Sequence, residues 1–305
     1  MIAFIVNSKA GGGKVKRVWP GIEAQIQKMW GSSYAVRYPQ SKAQTIECAR
    51  EELRNGAEMV VAVGGDGTLH DVVNGFFADQ QPINPRAALA VLALGTGADF
   101  IRSLAWPTQI SEALARLRQP EIKTLDLGQA SFIGLSGQPE SQYFINILDF
   151  GMGGAVVDRV NHTTKFFGGK ISFLWAIVTT LFTYQNKPVQ FQIDGSLPQT
   201  QRINNFIIGN GKFFGGGLMP VPQAKLDDGY LDAVILGDLG LLEALRNLPK
   251  LRQGTHLDHP KLKCYPARRV EAQSAEPVWI DMDGELVGQL PIAIQVIPHA
   301  LPFVV

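Results

Sequence analysis

The sequence predicts an α/β amino-terminal domain built on a parallel sheet, followed by a second domain that is mainly a β-sandwich. Three observations carry this. Apolar runs of strand length alternate with segments of helical period through the first 120 residues. From residue 125 onward the rhythm changes to short strands separated by turn residues. The length, 305 residues, is enough for two domains of about 150 residues, each with its own core.

Residues 2–6, IAFIV, form an unbroken apolar run and read as a buried strand. After AGGGK, the residues Val15, Val18, Trp19, Ile22, Ile26 and Met29 recur at helical spacing, with Pro20 expected near the first turn. A short strand near 34–38, a helix around 43–55 and a strand at 60–63 follow. Leu69, Val72, Val73, Phe76 and Phe77 mark a helix over 69–77, the run 89–94 a strand, and 111–118 a further helix. Alternation of this kind implies a parallel sheet with helices on both faces. The expected boundary is the turn at Pro120, giving an α/β domain over 1–122 and a sandwich over 123–294. In the second domain strands are expected at 125–130, 143–148, 189–193, 205–208, 231–236, 268–272 and 278–281, with helical insertions near 156–161 and 170–184. The terminal PIAIQVIPHALPFVV again reads as strand, and the tail over 295–305 is expected to return to the first domain.

Composition excludes several classes. With 46% hydrophobic and 18% charged residues the chain is of the globular type. Lys+Arg 28 against Asp+Glu 27 gives a net charge of +1, which argues against a dedicated nucleic-acid binder. Cys48 and Cys264 form no CxxC pair, so neither a disulfide framework nor a structural zinc site is indicated, and a reducing cytosol is the simplest home. His256 and His259, with Cys264 nearby, read as ordinary polar residues of a loop. The amino terminus does not resemble a signal peptide. The longest lipid-friendly segment, 171–182, has 12 residues, short of the roughly 20 that a spanning helix needs.

The chemistry concentrates where strands end on glycines. In VVAVGGDGTLHDVVNG, residues 60–75, a strand stops on Gly64, Gly65 and Gly67 before a helix. Such a turn aims unpaired N–H groups and the positive end of a helix dipole at one place, which favours an anion. Asp66, inside the turn, would repel a bare phosphate unless a metal ion stood between them or a proton had to move. NSKAGGGK, residues 7–14, and GTGAD, residues 95–99, fall at the ends of two further predicted strands. Neither a P-loop nor a Rossmann fingerprint is present, yet ligands of open α/β sheets bind beyond the carboxyl ends of the strands, where these loops would converge. In the second domain, Asp227, Asp228 and Asp232 could hold a hard cation through oxygen ligands, but on their own they read rather as a solvated Asp-Asp-Gly hairpin turn. IDMDGEL places Asp281, Asp283 and Glu285 around a glycine, with alternate residues expected on one face of a strand. A carboxylate there could take a proton from an alcohol, or cap a hairpin.

GGDGTLHDVVNG, GTGADF, FFGGGLMPVPQAKLDDGYLD and DGEL, in this order and spacing, resemble the diacylglycerol kinase catalytic-domain family, in particular its bacterial soluble lipid kinases, over essentially the whole chain. The resemblance implies ATP- and Mg²⁺-dependent transfer of the γ-phosphoryl group to a lipid hydroxyl, in a nucleotide cleft between the α/β domain and the sandwich. Carried over to matching positions, Asn7, Ser8, Lys9, Ala10, Gly11, Gly64, Gly65, Asp66, Gly67, Thr68, Leu69, His70 and Thr96 would contact the nucleotide. Asp66, near the metal-bound phosphates, and Glu285, matching the family's general base, would be the catalytic pair. Asp228 with the backbone carbonyls of Lys225 and Tyr230 resembles the family's second, structural Mg²⁺ site. The implied partner is a lipid substrate at a membrane surface, met by a cytoplasmic protein that associates peripherally with the bilayer, and a homodimer fits the base rate for oligomers.

This sequence departs from the family's pattern at Ser8, where proline is usual, and at His70 and Ala98, where asparagine is common. Losing an amide beside a nucleotide removes a hydrogen bond of about 1 kcal/mol. The departures at His70 and Ala98 motivate one rival reading, a non-catalytic nucleotide- or lipid-binding protein; another rival is a kinase for a soluble acceptor such as NAD.

Overall fold

The structure is a computed structural model, which describes residues 1–95, 97–162 and 169–305. The chain divides into two compact units, Met1–Leu125 with His299–Val305, and Asp126–Pro298.

The first unit runs β1 (Ile2–Val6), α1 (Lys14–Trp30), β2 (Tyr34–Arg37), α2 (Lys42–Arg54), β3 (Met59–Gly64), α3 (Asp66–Gly75), a two-strand ribbon of β4 (Phe77–Ala78) and β5 (Gln81–Pro82), β6 (Ala88–Ala93), α4 (Asp99–Ser103) and α5 (Ile110–Arg118). β1 pairs in parallel with both β2 and β3, and β3 with β6. β1, β3 and nearly all of β6 are buried, as strands covered on both faces must be, which is why they read as continuous apolar runs. The chain leaves β1 towards β2 and then returns to the other side of β1 for β3. Right-handed crossovers in opposite directions put α1 and α2 on opposite faces. α1 buries Val15, Trp19, Ile22 and Ile26, whereas α2 packs on α3 so closely that a Cβ at Gly75 would stand 2.6 Å from the Ala49 methyl.

Two expectations need correction here. Pro20 lies inside α1, in its second turn, and not near its start. The proline leaves the carbonyl of Lys16 without an intrahelical donor, and both residues are exposed, so water can take that place. The helix expected to open at Thr68 or Leu69 begins earlier, at Asp66, with Gly65 extended as its N-cap and the Leu69 N–H donating to the Gly65 carbonyl at 3.1 Å. An acidic residue in the first turn suits the helix dipole.

The second unit is antiparallel where its ladders are defined. It comprises β7 (Ile122–Gly134, entering from the first unit), β8 (Pro139–Phe144), β9 (Ile147–Gly151), α6 (Met152–His162), α7 (Gly169–Thr183), β10 (Lys187–Ile193), β11 (Gln199–Ile203), β12 (Asn205–Gly209), β13 (Leu231–Leu236), α8 (Leu241–Gln253), β14 (Leu262–Ala267), β15 (Arg269–Gln273), β16 (Trp279–Met282) and β17 (Glu285–Val304). One ladder runs β14-β13-β12-β9-β16-β17, and a second, β11-β10-β15, joins the middle of β17, with β7 and β8 on its other side. Both ladders feed one core, which includes Phe132, Phe144, Phe150, Phe191, Phe206, Ile280 and Ile292. The mainly β-sandwich second domain of the sequence prediction is thus observed. The last strand continues into the first unit, where Phe303 pairs in parallel with Leu89.

The strand expected over 143–148 is two strands, broken at Ile145 and Asn146 because their N–H groups turn to the carboxylate of Asp283 and not to a neighbouring strand. Helix α8 was not expected. Its signals were present: leucines at helical spacing, Glu243 accepting the Gly240 N–H at 2.8 Å, and Gly254 closing the end at φ +71°. Pro249 inside the segment obscured them.

At the centre of the sandwich, Phe206 is wholly buried, stacked on Phe150 with centroids 4.9 Å apart and edge-on to Phe191 at 5.2 Å. Phe206→Ala should therefore cost about 3–5 kcal/mol in urea unfolding, the range for a large buried aromatic.

Candidate active site

The order β3-β1-β2 makes the carboxyl ends of β1 and β3 a switch point, where an open parallel sheet leaves a crevice for ligands. The loops expected to bind phosphate meet here. The Asn7 N–H donates to the Val63 carbonyl at 3.0 Å, its Oδ1 accepts from the Lys9 N–H at 3.1 Å, and its Nδ2 donates to Thr68 Oγ1 at 3.0 Å. Asn7 thus ties the first loop to the first turn of α3. Ala10 donates its N–H back to the Asn7 carbonyl, Ser8 lies between them in the same turn, and the Lys9 ammonium donates to the Gln40 carbonyl at 2.9 Å. Gly11, Gly12 and Gly13 all have left-handed φ, of 62°, 64° and 85°, a run that side-chain-bearing residues rarely adopt.

Gly64, Gly65 and Gly95 are needed for closeness. The Gly64 carbonyl accepts from the N–H groups of both Leu94 and Gly95 at 2.8 Å. A Cβ on Gly95 would lie 2.5 Å from the Gly65 Cα, and one on Gly64 would overlap Thr68. Asp66 completes the junction: its carboxylate accepts from the N–H groups of Asp99 at 3.1 Å and Phe100 at 3.3 Å, the opening residues of α4. A Cβ on Gly97 would come within 2.8 Å of Asp66 Oδ2. Asp66, Gly67 and Thr68 form the first turn of α3, whose N–H groups have no intrahelical acceptor and can serve an anion. Leu69 and His70 follow and are buried, His70 completely, with Asn74 donating to its carbonyl at 3.0 Å. Thr96 lies outside the described residues. Ala98 is the N-cap of α4 and sits at φ +53°, ψ +39°.

In the second unit, the structure corrects the expectation that Asp281, Asp283 and Glu285 share a strand face. Asp283 and Gly284, both with left-handed φ, form the tight turn between β16 and β17, so Asp281 and Glu285 lie on different strands. Glu285 is exposed and pairs across the turn with Met282. Asp283 is buried, and its carboxylate accepts three N–H groups, from Ile145 at 3.1 Å, Asn146 at 3.0 Å and Ile147 at 3.1 Å, while its own N–H donates to the Ile147 carbonyl at 2.8 Å. The base candidate stands on a turn fixed from below.

The proposed metal loop is held in the same way. Buried Asp126 accepts the Gly229 N–H at 2.6 Å and donates its own N–H to the Leu226 carbonyl at 2.7 Å. Asp228 accepts the Tyr230 N–H at 3.1 Å, and the Arg268 guanidinium lies over the Tyr230 ring, 4.6 Å from its centroid. Burial and the nearby Asp228 push Asp232 up to about 6, against the pull of Lys225. Among the described residues there is no group of three or more His, Cys, Asp and Glu able to hold a metal. The donors present are nonetheless of the hard oxygen kind that suits Mg²⁺: the Asp228 carboxylate with the carbonyls of Lys225 and Tyr230, beside a second carboxylate whose charge a cation would relieve. His256, by contrast, is buried with Nε2 on the Pro220 carbonyl at 3.0 Å, and His259 Nδ1 accepts the Lys261 N–H.

Sequence reasoning missed the anchoring roles of Asp126 and Asp283 and the burial of Asp149. Asp149 and Asp126 sit in strand runs, and only their unusual presence among buried apolar residues could have flagged them.

Loops at a parallel switch point, followed by an antiparallel sandwich, define the class of NAD kinase-like phosphotransferase folds. Residues 1–130 match the diacylglycerol kinase catalytic domain and residues 146–305 the YegS C-terminal NAD kinase beta sandwich-like domain. A diacylglycerol kinase of Staphylococcus carnosus is 30% identical over 94% of this chain and 89% of its own length. Among solved structures, a diacylglycerol kinase from Bacillus anthracis superposes with a TM-score of 0.71 at 20% identity, over 99% of this chain and 96% of that one. An NAD kinase from Archaeoglobus fulgidus in complex with ATP shares the fold more distantly, with a TM-score of 0.52 at 15% identity, over 100% of this chain and 94% of that one. The chain belongs to the diacylglycerol kinase family, a family of lipid kinases.

Alanine in the left-handed region costs about 1 kcal/mol, a strain that asparagine tolerates better. Ala98→Asn should therefore raise unfolding stability by about 0.5–1 kcal/mol, measured by urea titration.

Proposed function

We propose that this protein is an ATP- and Mg²⁺-dependent kinase of a diacylglycerol-like lipid alcohol. The observation that carries the reading is the Asp66 junction, in which one carboxylate binds the GGDGT and GTGAD loops together at the switch point of the parallel sheet. The phosphates of ATP would lie against the N–H groups of Gly65, Asp66 and Gly67 and the loop from Asn7 to Gly11. The lipid hydroxyl oxygen attacks the γ-phosphorus as its bond to the β,γ-bridging oxygen breaks; ADP leaves and the hydroxyl proton passes to Glu285. Mg²⁺ would supply positive charge to the phosphate oxygens, and Asp66 would be the carboxylate near the metal-bound phosphates. Asp228, with the carbonyls of Lys225 and Tyr230, would hold a second, structural ion.

Lipid access is favoured by apolar side chains on two contacting helices of the second unit: Trp175 and Phe182 on α7, and Leu242 and Leu245 on α8, all exposed. α8 also carries Arg246, Lys250 and Arg252, suited to anionic headgroups. No helix among the described residues is long and apolar enough to cross a membrane. Peripheral contact with a bilayer surface is the mode this composition supports.

The experiment is incubation with γ-labelled ATP, Mg²⁺ and a total lipid extract in detergent micelles, followed by separation of the lipids. A labelled lipid is expected; ATP binding without label would favour a binding protein, and label on NAD in a parallel incubation with NAD in place of lipid would favour a soluble acceptor. Glu285→Gln should lower kcat by about 10²-fold or more without changing the melting temperature. Asp66→Ala would also leave the N–H groups of Asp99 and Phe100 without their acceptor, costing about 1–3 kcal/mol, so Asp66→Asn, which keeps an acceptor oxygen, is the variant that reads chemistry. For the second ion, Mg²⁺ should raise the melting temperature of the native protein and not of Asp228→Asn.

A further inference from the structure

β9 and β16 are adjacent antiparallel strands, and Asp149 stands directly opposite Asp281 in their register. Leu148 and Phe150, like Ile280 and Met282, enter the sandwich core, so by strand alternation the two aspartates share the other face, on which α6 packs. Asp149 is 1% exposed and Asp281 7%. Like charges directly opposite in a ladder repel, and burial removes the water that would screen them. Asp149 Oδ1 and Oδ2 and Asp281 Oδ1 have no hydrogen-bond partner of good geometry among the described residues. The charged groups that act on Asp281 are Asp149, Asp283 and Glu285, all acidic. Asp149 is treated differently: the first turn of α6 lies on it, so that a Cβ on Gly153 would overlap its Oδ1, and the Gly154 N–H and the Asn205 amide favour its charge. Tyr184, beyond the end of α7, is held protonated by its own burial and then by Asp149. Directly opposed side chains have Cβ atoms about 4.5–5.5 Å apart, within the reach of one O–H···O⁻ bond between carboxyl groups.

We propose that Asp149 and Asp281 hold a single proton between them, with Asp281 as donor and Asp149 as acceptor, and that this buried acid pair is a positioning device for Glu285. Asp281 immediately precedes Met282, the cross-strand partner of Glu285, so the bond that fixes Asp281 also fixes the strand opposite the base. Loss of the proton sets two buried charges against each other beside the turn. The role in transfer rests on the kinase reading; the shared proton does not. Burial raises Asp149 to about 7, and burial with the neighbouring carboxylates of Asp149 and Asp283 raises Asp281 well above the ordinary carboxylate range, in keeping with one retained proton. Unfolded aspartate has a pKa of about 3.9, so above that value the folded state binds the extra proton, and the stability it contributes, full below about 3.9, is lost as pH rises from there through the raised folded value of Asp281.

The test compares full-length native protein with Asp281→Asn, whose amide can donate to Asp149 as the acid does, and with Asp281→Ala. Melting temperatures are recorded from about pH 5 to about pH 9. The native protein should fall relative to Asp281→Asn as pH rises from about 5 towards the raised value of Asp281, and Glu285→Gln should fall as the native protein does. Parallel native and Asp281→Asn curves would overturn the shared proton. So would a divalent cation that stabilises the native protein and not Asp281→Asn, which would put a metal between the carboxylates. In the lipid assay, Asp281→Ala should lose at least about tenfold in kcat with KM little changed, Asp281→Asn should recover most of it, and the native kcat alone should decline at high pH. An unchanged kcat in Asp281→Ala would remove the positioning role while leaving the stability result standing.

Discussion

Charge-assisted hydrogen bonds from loop N–H groups to aspartate carboxylates are the constraint on which both units depend. Asp66 gathers the N–H groups that open α4, Asp126 that of Gly229, Asp194 those of Arg268 and Arg269, and Asp283 those of three successive residues where β8 gives way to β9. Each of these chain segments has left a ladder or not yet entered a helix, so its donors have no regular partner. A carboxylate offers two oxygens and a full negative charge, and such bonds are roughly twice as strong as those between neutral groups. The candidate site residues ride on these anchors: the proposed nucleotide loops on Asp66, the candidate metal loop on Asp126 and the base candidate on Asp283.

Much of this was legible in the sequence, and the division between what was and was not is physical. β1, β3 and β6 are buried on both faces, so their apolar runs had one reading. The glycine turns were visible because close approach leaves no alternative residue: Gly64 and Gly95 touch backbone or side chain wherever a Cβ would stand. The Asp283 interaction was not legible, since it joins residues 136 to 138 positions apart, and nothing local distinguishes an aspartate that caps its own turn from one that holds another segment. The same carboxylate split the expected strand over 143–148. Helix α8 was hidden by Pro249, a residue that usually ends such a pattern and here is carried within it.

The departures at Ala98 and His70 take on different meanings in the folded chain. Ala98 holds a left-handed conformation that asparagine adopts readily, so the substitution acts on the backbone of the α4 N-cap as well as on any lost amide contact. His70 is enclosed by its own unit, with Asn74 one turn further along α3. The two positions therefore bear on the GTGAD loop and on helix packing respectively.

The final strand, 20 residues long, has a consequence for how the protein is made. Its beginning pairs with β16, its middle with β15, and its end with β6 of the first unit. Both sheets therefore draw on one continuous segment, so neither is closed until that segment is in place. Folding of the two units is tied together by this strand, and until it docks each sheet keeps an open edge exposed to mispairing.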